Sequence, residues 1–238
     1  MKQSISRSRW LIALQLPLTL LILVLVPNNF ARVVALLVAW ALTFKSLRRG
    51  ELIFALIICV FFTGMNAASI EAGIFSFSQP DFLGQPWFEL LMWGFYTLHT
   101  LRLIGTDAPR ADSTFIWTIA VLYSACFPVL GGGWPLLAGT ALLLAIGLAR
   151  HHERRDWLFV GYFVAMGAAF EYTGVHAGLW HYPAPPFGGV PPWFITLWGG
   201  VGFFLHRLAL PLLHRLGVYG ASGDLDGRTV HHSEHHLP

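Results

Sequence analysis

Long apolar runs occupy most of this chain, and they limit what it can fold into more than any other feature. A run of 14 to 21 residues approximates a helix crossing a bilayer core of about 30 Å, and it is longer than a barrel strand needs to be. The sequence therefore predicts an all-α, polytopic membrane helix bundle of about eight transmembrane helices. The runs cover residues 10–26, 30–44, 52–68, 87–103, 115–130, 136–149, 157–175 and 193–213.

The composition agrees with a membrane protein. Hydrophobic residues make up 55% of the chain and charged residues only 11%, which is too apolar for a water-soluble domain of 238 residues. Cys59 and Cys126 both fall inside apolar runs, which predicts small buried packing residues instead of a zinc or disulfide framework. The net charge of +3 is typical of the cytoplasmic excess of a membrane protein and gives no indication of nucleic-acid binding.

The basic residues predict the orientation of the chain. With eight spans and a cytoplasmic N-terminus, fourteen of the fifteen Lys and Arg residues fall on the cytoplasmic side, and Arg32 is the exception. This asymmetry is what the positive-inside rule requires, and a different number of spans would destroy it. We therefore expect a multi-pass protein of the cell inner membrane with both termini in the cytoplasm.

The second half of the chain repeats the first at an offset of 105 residues. Because each half contains an even number of spans, the repeats should be parallel and related by an axis along the membrane normal. We expect a four-helix repeat in residues 1–105, a second in 106–217 and a His-rich cytoplasmic tail in 218–238. The matched pairs include Lys45 with Arg150, Arg49 with Arg154, Glu51 with Asp156, Gly84 with Gly189, Trp93 with Trp198 and Arg102 with Arg207.

Glu171 is the main candidate for a functional residue. It lies about 20 Å into the seventh apolar run, where a charge is costly and is usually retained for function. Gly167, Gly174 and Gly178 share its helical face, which predicts the close approach of a second backbone. Desolvation favours the protonated carboxyl, so we expect a general acid or base there, with a structural hydrogen-bond acceptor as the alternative.

Four polar residues near the same side of the membrane are candidate partners of Glu171. His176 and His181 follow it in the chain and are candidate proton carriers, although histidines near an interface are often only polar anchors. In the first half, Asn66 matches Glu171 and Glu71 matches His176 at the offset of 105. We expect these groups to meet in a pocket between the two halves that opens towards the outer face.

Four aromatic residues are candidates for binding a substrate. Their rings can stack on a cation or a polyene, and the aromatic belt at a membrane interface explains them equally well. They are Trp180, Tyr182, Trp193 and Trp198.

The C-terminal tail contains His232, His235 and His236 in an H-x-x-H-H spacing. This spacing resembles one histidine box of the membrane fatty-acid desaturases, which would imply a diiron lipid oxidase. Those enzymes use several boxes, and the others are missing here in their usual spacing. We therefore expect a solvated His-rich tail and no metal, and keep the three histidines as alternative metal ligands.

The region after Glu171 resembles the signature of membrane carotenoid-modifying proteins, the lycopene cyclase domain and carotenoid hydratase families. Those families also place a Glu before a G-x-W-x-Y or G-x-Y-x-Y element and a V-P turn. The resemblance implies proton-driven hydration or cyclisation of long isoprenoids without a redox cofactor. The sequence departs from the cyclases after Pro191, where they have acidic residues and this chain has Pro192, Trp193 and Phe194. The resemblance is carried by Glu171, Gly174, Gly178, Trp180, Tyr182, Gly189, Val190, Pro191 and Trp198.

Together these features predict an enzyme that performs acid/base chemistry on an isoprenoid or another lipid. Hydration, cyclisation and isomerisation all fit, and no cofactor is expected. A small-solute or lipid transporter is the main alternative, because internal repeats and intramembrane polar groups suit one equally well. A non-catalytic accessory subunit is the second alternative, and the oligomeric state stays open.

Overall fold

A computed structural model describes residues 2–44, 46–110, 113–183 and 187–219, and these residues are mostly helical. The prediction of an all-α fold is confirmed, with two very short strands added: β1, Ser76–Phe77, and β2, Trp180–His181. The last described helix contains one π-helical turn, Leu205–Ala209. The eight helices of the described residues are α1 Lys2–Leu25, α2 Asn29–Phe44, α3 Arg49–Glu71, α4 Glu89–Ile104, α5 Ser113–Leu130, α6 Trp134–Arg150, α7 Arg154–His176 and α8 Phe194–Arg215.

Three of these helices, α3, α7 and α8, are long and apolar enough to cross a membrane. Helix α3 has 23 residues, which corresponds to about 35 Å at a rise of about 1.5 Å per residue. Apolar stretches of 10–17 residues also lie in α1, α2, α5 and α6. The chain thus has the make-up of a membrane protein.

Helices α3 and α7 begin in the same way. The backbone N–H of Arg48 donates to Oε2 of Glu51 at 2.8 Å, and the N–H of Glu153 donates to Oδ2 of Asp156 at 2.9 Å. Each carboxylate satisfies an N–H at a helix start, where no backbone partner is available within the helix. Because both residues of the second pair follow those of the first by 105, one local sequence pattern begins both helices.

The two strands join the halves of the chain at one end of the bundle, which we call the strand end. They pair antiparallel, with Ser76 opposite His181 and Phe77 opposite Trp180. Ser76 and His181 are themselves 105 residues apart, so matching positions of the two halves face each other. The strand end is therefore where side chains from both halves meet.

The opposite end of the bundle holds two ion pairs at matching positions. Arg102 bonds to Glu51 at 2.5 Å, and Arg207 pairs with Asp156. The second pair is buried, and His206 adds a hydrogen bond to Asp156 at 2.7 Å. These contacts hold α3 to α4 and α7 to α8.

Candidate functional site

Glu171 is buried in α7 and accepts three hydrogen bonds from side chains. The indole nitrogen of Trp180 and the hydroxyl of Tyr182 donate to its Oε2, at 3.0 and 2.7 Å. The indole nitrogen of Trp198 donates to its Oε1 at 3.1 Å. An indole N–H can only donate, so two of these partners require an oxygen acceptor at Glu171.

The glycines on the Glu171 face have a different role from the one expected. A Cβ on Gly167 would lie 2.1 Å from the ring of Trp198, and a Cβ on Gly174 would lie 2.0 Å from the ring of Trp180. The expectation that a second backbone packs against these two glycines is therefore wrong. They are small because the indole rings of Trp198 and Trp180 pack directly against α7 at these positions, and the N–H groups of both rings donate to Glu171.

Glu89 is a second buried carboxyl group, and sequence reasoning missed it. It is the first residue of α4, and the side-chain amide of Asn66 donates to its Oε1 at 3.1 Å. It interacts electrostatically with Glu171. The sequence does place this carboxyl group near the start of an apolar run. The rule that selected Glu171, that a charged residue in a membrane span is usually functional, would have selected Glu89 as well.

A cavity of about 770 Å³ connects the two carboxyl groups to a long apolar surface. Asn66, Glu89 and Glu171 line its polar end, below the strands. From there it follows α3 between Ser69 and Gly50, a length of about 28 Å. We call this cavity the cleft. Its walls come from α3, α5 and α8, with α4 closing the polar end, and almost all of them are apolar.

The cleft opens sideways between α3 and α5. Ile57 and Phe61 on α3 line it and are exposed, as are Trp117 and Val121 on α5. Exposed apolar side chains on both rims indicate a face that lipid, not water, would cover. The polar end of the cleft is therefore connected to an exposed apolar face of the bundle.

The structure brings together most of the residues that the sequence selected. All four predicted substrate-binding aromatic residues line the cleft. Three of them donate hydrogen bonds to Glu171, and the fourth, Trp193, packs edge-on against Tyr182 with ring centres 5.6 Å apart. Asn66 also lines the cleft, and it donates a hydrogen bond to Glu89 there.

Three predicted polar partners lie elsewhere. Glu71, His176 and His181 are exposed at the strand end and do not line the cleft. A ring nitrogen of His176 is 2.7 Å from the carbonyl oxygen of Tyr172, and one of His181 is 2.9 Å from Oγ of Ser76. They lie apart because α7 ends at His176, so both histidines are beyond the buried part of the helix.

The predicted tail histidines, His232, His235 and His236, lie outside the described residues. Within residues 2–44, 46–110, 113–183 and 187–219, no group of three or more His, Cys, Asp or Glu side chains is arranged to hold a metal. The described lining of the cleft contains no Lys, Arg or His. The side chains that donate hydrogen bonds to the two carboxyl groups in the described part of the cleft are therefore all neutral.

Comparison with solved structures shows an overall likeness to the cross-linked trimer of a cysteine variant of MvINS. The TM-score is 0.61 and the sequence identity 17%, over 72% of this chain and 98% of the MvINS chain. At this identity the likeness shows a shared fold. No family model and no curated protein matches the chain.

Proposed function

We propose that this protein is a membrane enzyme that protonates a long apolar chain, an isoprenoid or another lipid, held in the cleft. The observation that supports this proposal is the position of two buried carboxyl groups at the polar end of a cleft that opens to the bilayer. The resemblance to carotenoid hydratases suggests the same chemistry.

We further propose that all eight helices span the inner membrane, as two parallel four-helix repeats. The starts of α2, α3 and α4 recur 105 residues later as those of α6, α7 and α8. The shorter helices of 16 to 18 residues reach about 24–27 Å, close to the thickness of the hydrocarbon core.

Fusion reporters test this arrangement. Reporters at the two termini and in the loop between α4 and α5 should be active in the cytoplasm, because fourteen of the fifteen basic residues would then lie there. Reporters inserted in the loops 69–86 and 176–192 should be active outside. A C-terminus outside would contradict both the eight spans and the parallel repeats.

The two carboxyl groups should hold one proton between them, since two negative charges in a cavity with little water repel strongly. Glu171 accepts three hydrogen bonds, whereas Glu89 accepts one from Asn66 and interacts more weakly with the indole N–H of Trp93. Hydrogen bonds to a charged group contribute about 1.5–3 kcal/mol each, whereas the helix start at Glu89 favours its negative charge by about 0.3–1 kcal/mol. We therefore assign the proton to Glu89 and the charge to Glu171.

This assignment defines a reaction. The proton on Glu89 passes to one carbon of a double bond, whose electron pair forms the new C–H bond and leaves a carbocation on the other carbon. The Glu171 carboxylate and the nearby aromatic faces would stabilise this cation. Trp93 and Trp198 stack with ring centres 5.1 Å apart, and Tyr96 lies edge-on to Trp198 at 4.8 Å.

Three outcomes follow for the carbocation. Addition of water, with its extra proton returned to Glu89, gives hydration. Loss of a proton from a neighbouring carbon to Glu89 gives isomerisation. Attack by another double bond of the same chain, followed by proton loss, gives cyclisation. Each outcome restores the proton on Glu89, so none consumes a cofactor.

Mass spectrometry of the lipids bound to the purified protein tests the proposal. We expect a long unsaturated chain together with a product that is either one water heavier or of equal mass and different retention. A carrier would hold the chain in one unchanged form. Finding only ordinary membrane phospholipids, with no other unsaturated chain and no product, would contradict the proposal.

A variant that fills the cleft should remove the bound chain. Val121 lines the cleft at its open rim, so Val121→Trp places an indole in the path of the chain. We expect the amount of co-purified chain to fall several-fold. Leu122→Trp is the matched control, because Leu122 is also exposed on α5, 49% against 62% for Val121, but does not line the cleft. Equal loss in both variants would show that the cleft is not the binding site.

A further inference from the structure

The cleft has a counterpart in the other half of the chain, and that counterpart is closed. The cleft is walled by α3, α5 and α8. The helices at the matching positions, 105 residues away, are α7, α1 and α4. Trp117 on the open rim is 51% exposed, whereas its match Ile12 is 6% exposed. Phe61 is 47% exposed, whereas its match Met166 is 1% exposed. The same interface is thus open on one side of the bundle and sealed on the other.

A buried polar network fills the closed interface. The ring of His99 on α4 lies between two partners: Nδ1 is 3.0 Å from Oε1 of Gln15 on α1, and Nε2 is 2.5 Å from the hydroxyl of Tyr162 on α7. The three residues thus join the three helices of the closed interface. We call this network the latch.

The open cleft has no residues that can form a latch. The positions matching Gln15, His99 and Tyr162 are Ala120, Phe204 and Ile57, and all three line the cleft. None of these side chains has a hydrogen-bonding group. The difference between a sealed and an open interface therefore coincides with the presence of three polar side chains at matching positions.

We infer that the latch holds shut a second binding site for an apolar chain, formed by α1, α4 and α7. The bundle contains two equivalent interfaces, and the latch reduces them to one open cleft per chain. This inference rests on the proposed function only in taking the open cleft as the site where an apolar chain binds. It does not depend on the protonation chemistry, because the latch lies away from the two carboxyl groups.

Transferring the residues of the open side to the closed side should open the second site. The triple variant Gln15→Ala, His99→Phe and Tyr162→Ile removes all three members together, so it leaves no unpaired member of the latch. Thr43, the remaining partner of Gln15, keeps its bond to the carbonyl of Ala39 at 2.7 Å. Tyr162→Phe is the matched control, because it removes one hydroxyl but keeps the ring that fills the interface.

Native mass spectrometry with squalene, a neutral linear isoprenoid, counts the occupied sites directly. We expect one squalene per chain in the native protein and in Tyr162→Phe, and two in the triple variant. One squalene in the folded triple variant would overturn the inference. If the triple variant fails to fold, the single variant Tyr162→Ile decides by the same count at raised squalene concentration, where a second bound molecule supports the inference and its absence overturns it.

The same experiment separates this inference from the proposed function. Absence of squalene from the native protein would mean that the open cleft does not take an apolar chain, and both proposals would then fail. A second result is one squalene in the native protein and two in the triple variant, with no chemical conversion of any chain. That result would support the inference about the latch and contradict only the proposed enzymatic activity.

Discussion

Turnover of the bound chain should fall by about 10²–10⁴-fold when Glu89 is replaced by glutamine, the range that general acid catalysis contributes. The amide cannot supply the proton, but its oxygen can still accept the hydrogen bond that Asn66 donates. Folding and chain binding should therefore change little. The measurement is product formation per bound chain, followed by chromatography of extracted lipids.

Asn66→Ala is a useful control for this variant, because it removes the partner of Glu89 and leaves the carboxyl group itself. It should reduce turnover far less than Glu89→Gln. Full turnover by Glu89→Gln with normal chain binding would contradict the assignment of the proton to Glu89.

Glu171→Gln should behave differently from Glu89→Gln. All three partners of Glu171 donate to it, with Trp198 on one oxygen and Trp180 and Tyr182 on the other. Either orientation of a glutamine amide would place its NH₂ group against at least one indole N–H, which can only donate. We expect this variant to lower the free energy of unfolding by about 1–3 kcal/mol, the cost of unsatisfied buried polar groups. A fully stable Glu171→Gln protein would contradict the observed hydrogen bonding.

The second large effect concerns stability at the end of the bundle opposite the strands. Arg207→Ala should lower the free energy of unfolding by about 3–5 kcal/mol, because it leaves the buried carboxylate of Asp156 without its cation. His206 remains bonded to Asp156 and compensates only in part. Thermal unfolding in detergent, measured with and without Arg207, tests this expectation.

Arg102→Ala is the matched control at the equivalent position of the first half. The side chain of Arg102 is 30% exposed, against 3% for Arg207. Water can therefore solvate the carboxylate of Glu51 better than that of Asp156 once the arginine is removed. We expect a smaller loss of stability than for Arg207→Ala. Equal losses would show that burial does not determine the strength of these two ion pairs.

The positions of the helices, and the matching of helix starts 105 residues apart, could be predicted from the sequence because both depend on local patterns. Apolar run length predicts each helix, and the offset of 105 brings together residues that begin helices in the same way, such as Glu51 and Asp156. The proposed eight spans and the division at residues 105 and 217 stay predictions.

The details of the site depend on packing that no local pattern records. Trp180, Tyr182 and Trp198 were selected as aromatic surfaces for a ligand, but in the structure each also donates a hydrogen bond to Glu171. Which way a side chain points is fixed by the helices around it. Glu89 was missed because it stands at a helix start, where an acidic residue is usually a local feature of the helix end.

The asymmetry of the two halves was also hidden from the sequence. A repeat is recognised by residues that match, whereas Gln15, His99 and Tyr162 differ from their counterparts and so drop out of the comparison. In the structure these unmatched positions lie where one interface is open and the other is closed. Differences between repeats are therefore as informative for function as the matches.

Conversion of the bound chain in heavy water tests most directly whether Glu89 protonates the chain. If Glu89 gives its proton to a carbon of the chain, the proton comes from solvent by exchange, and each product molecule should carry one deuterium that does not wash out in ordinary water. The Glu89→Gln protein should form labelled product about 10²–10⁴-fold more slowly. We expect rapid formation of labelled product by the native protein. Product without carbon-bound deuterium, or a chain that is bound and released unchanged, would contradict protonation of the chain by Glu89.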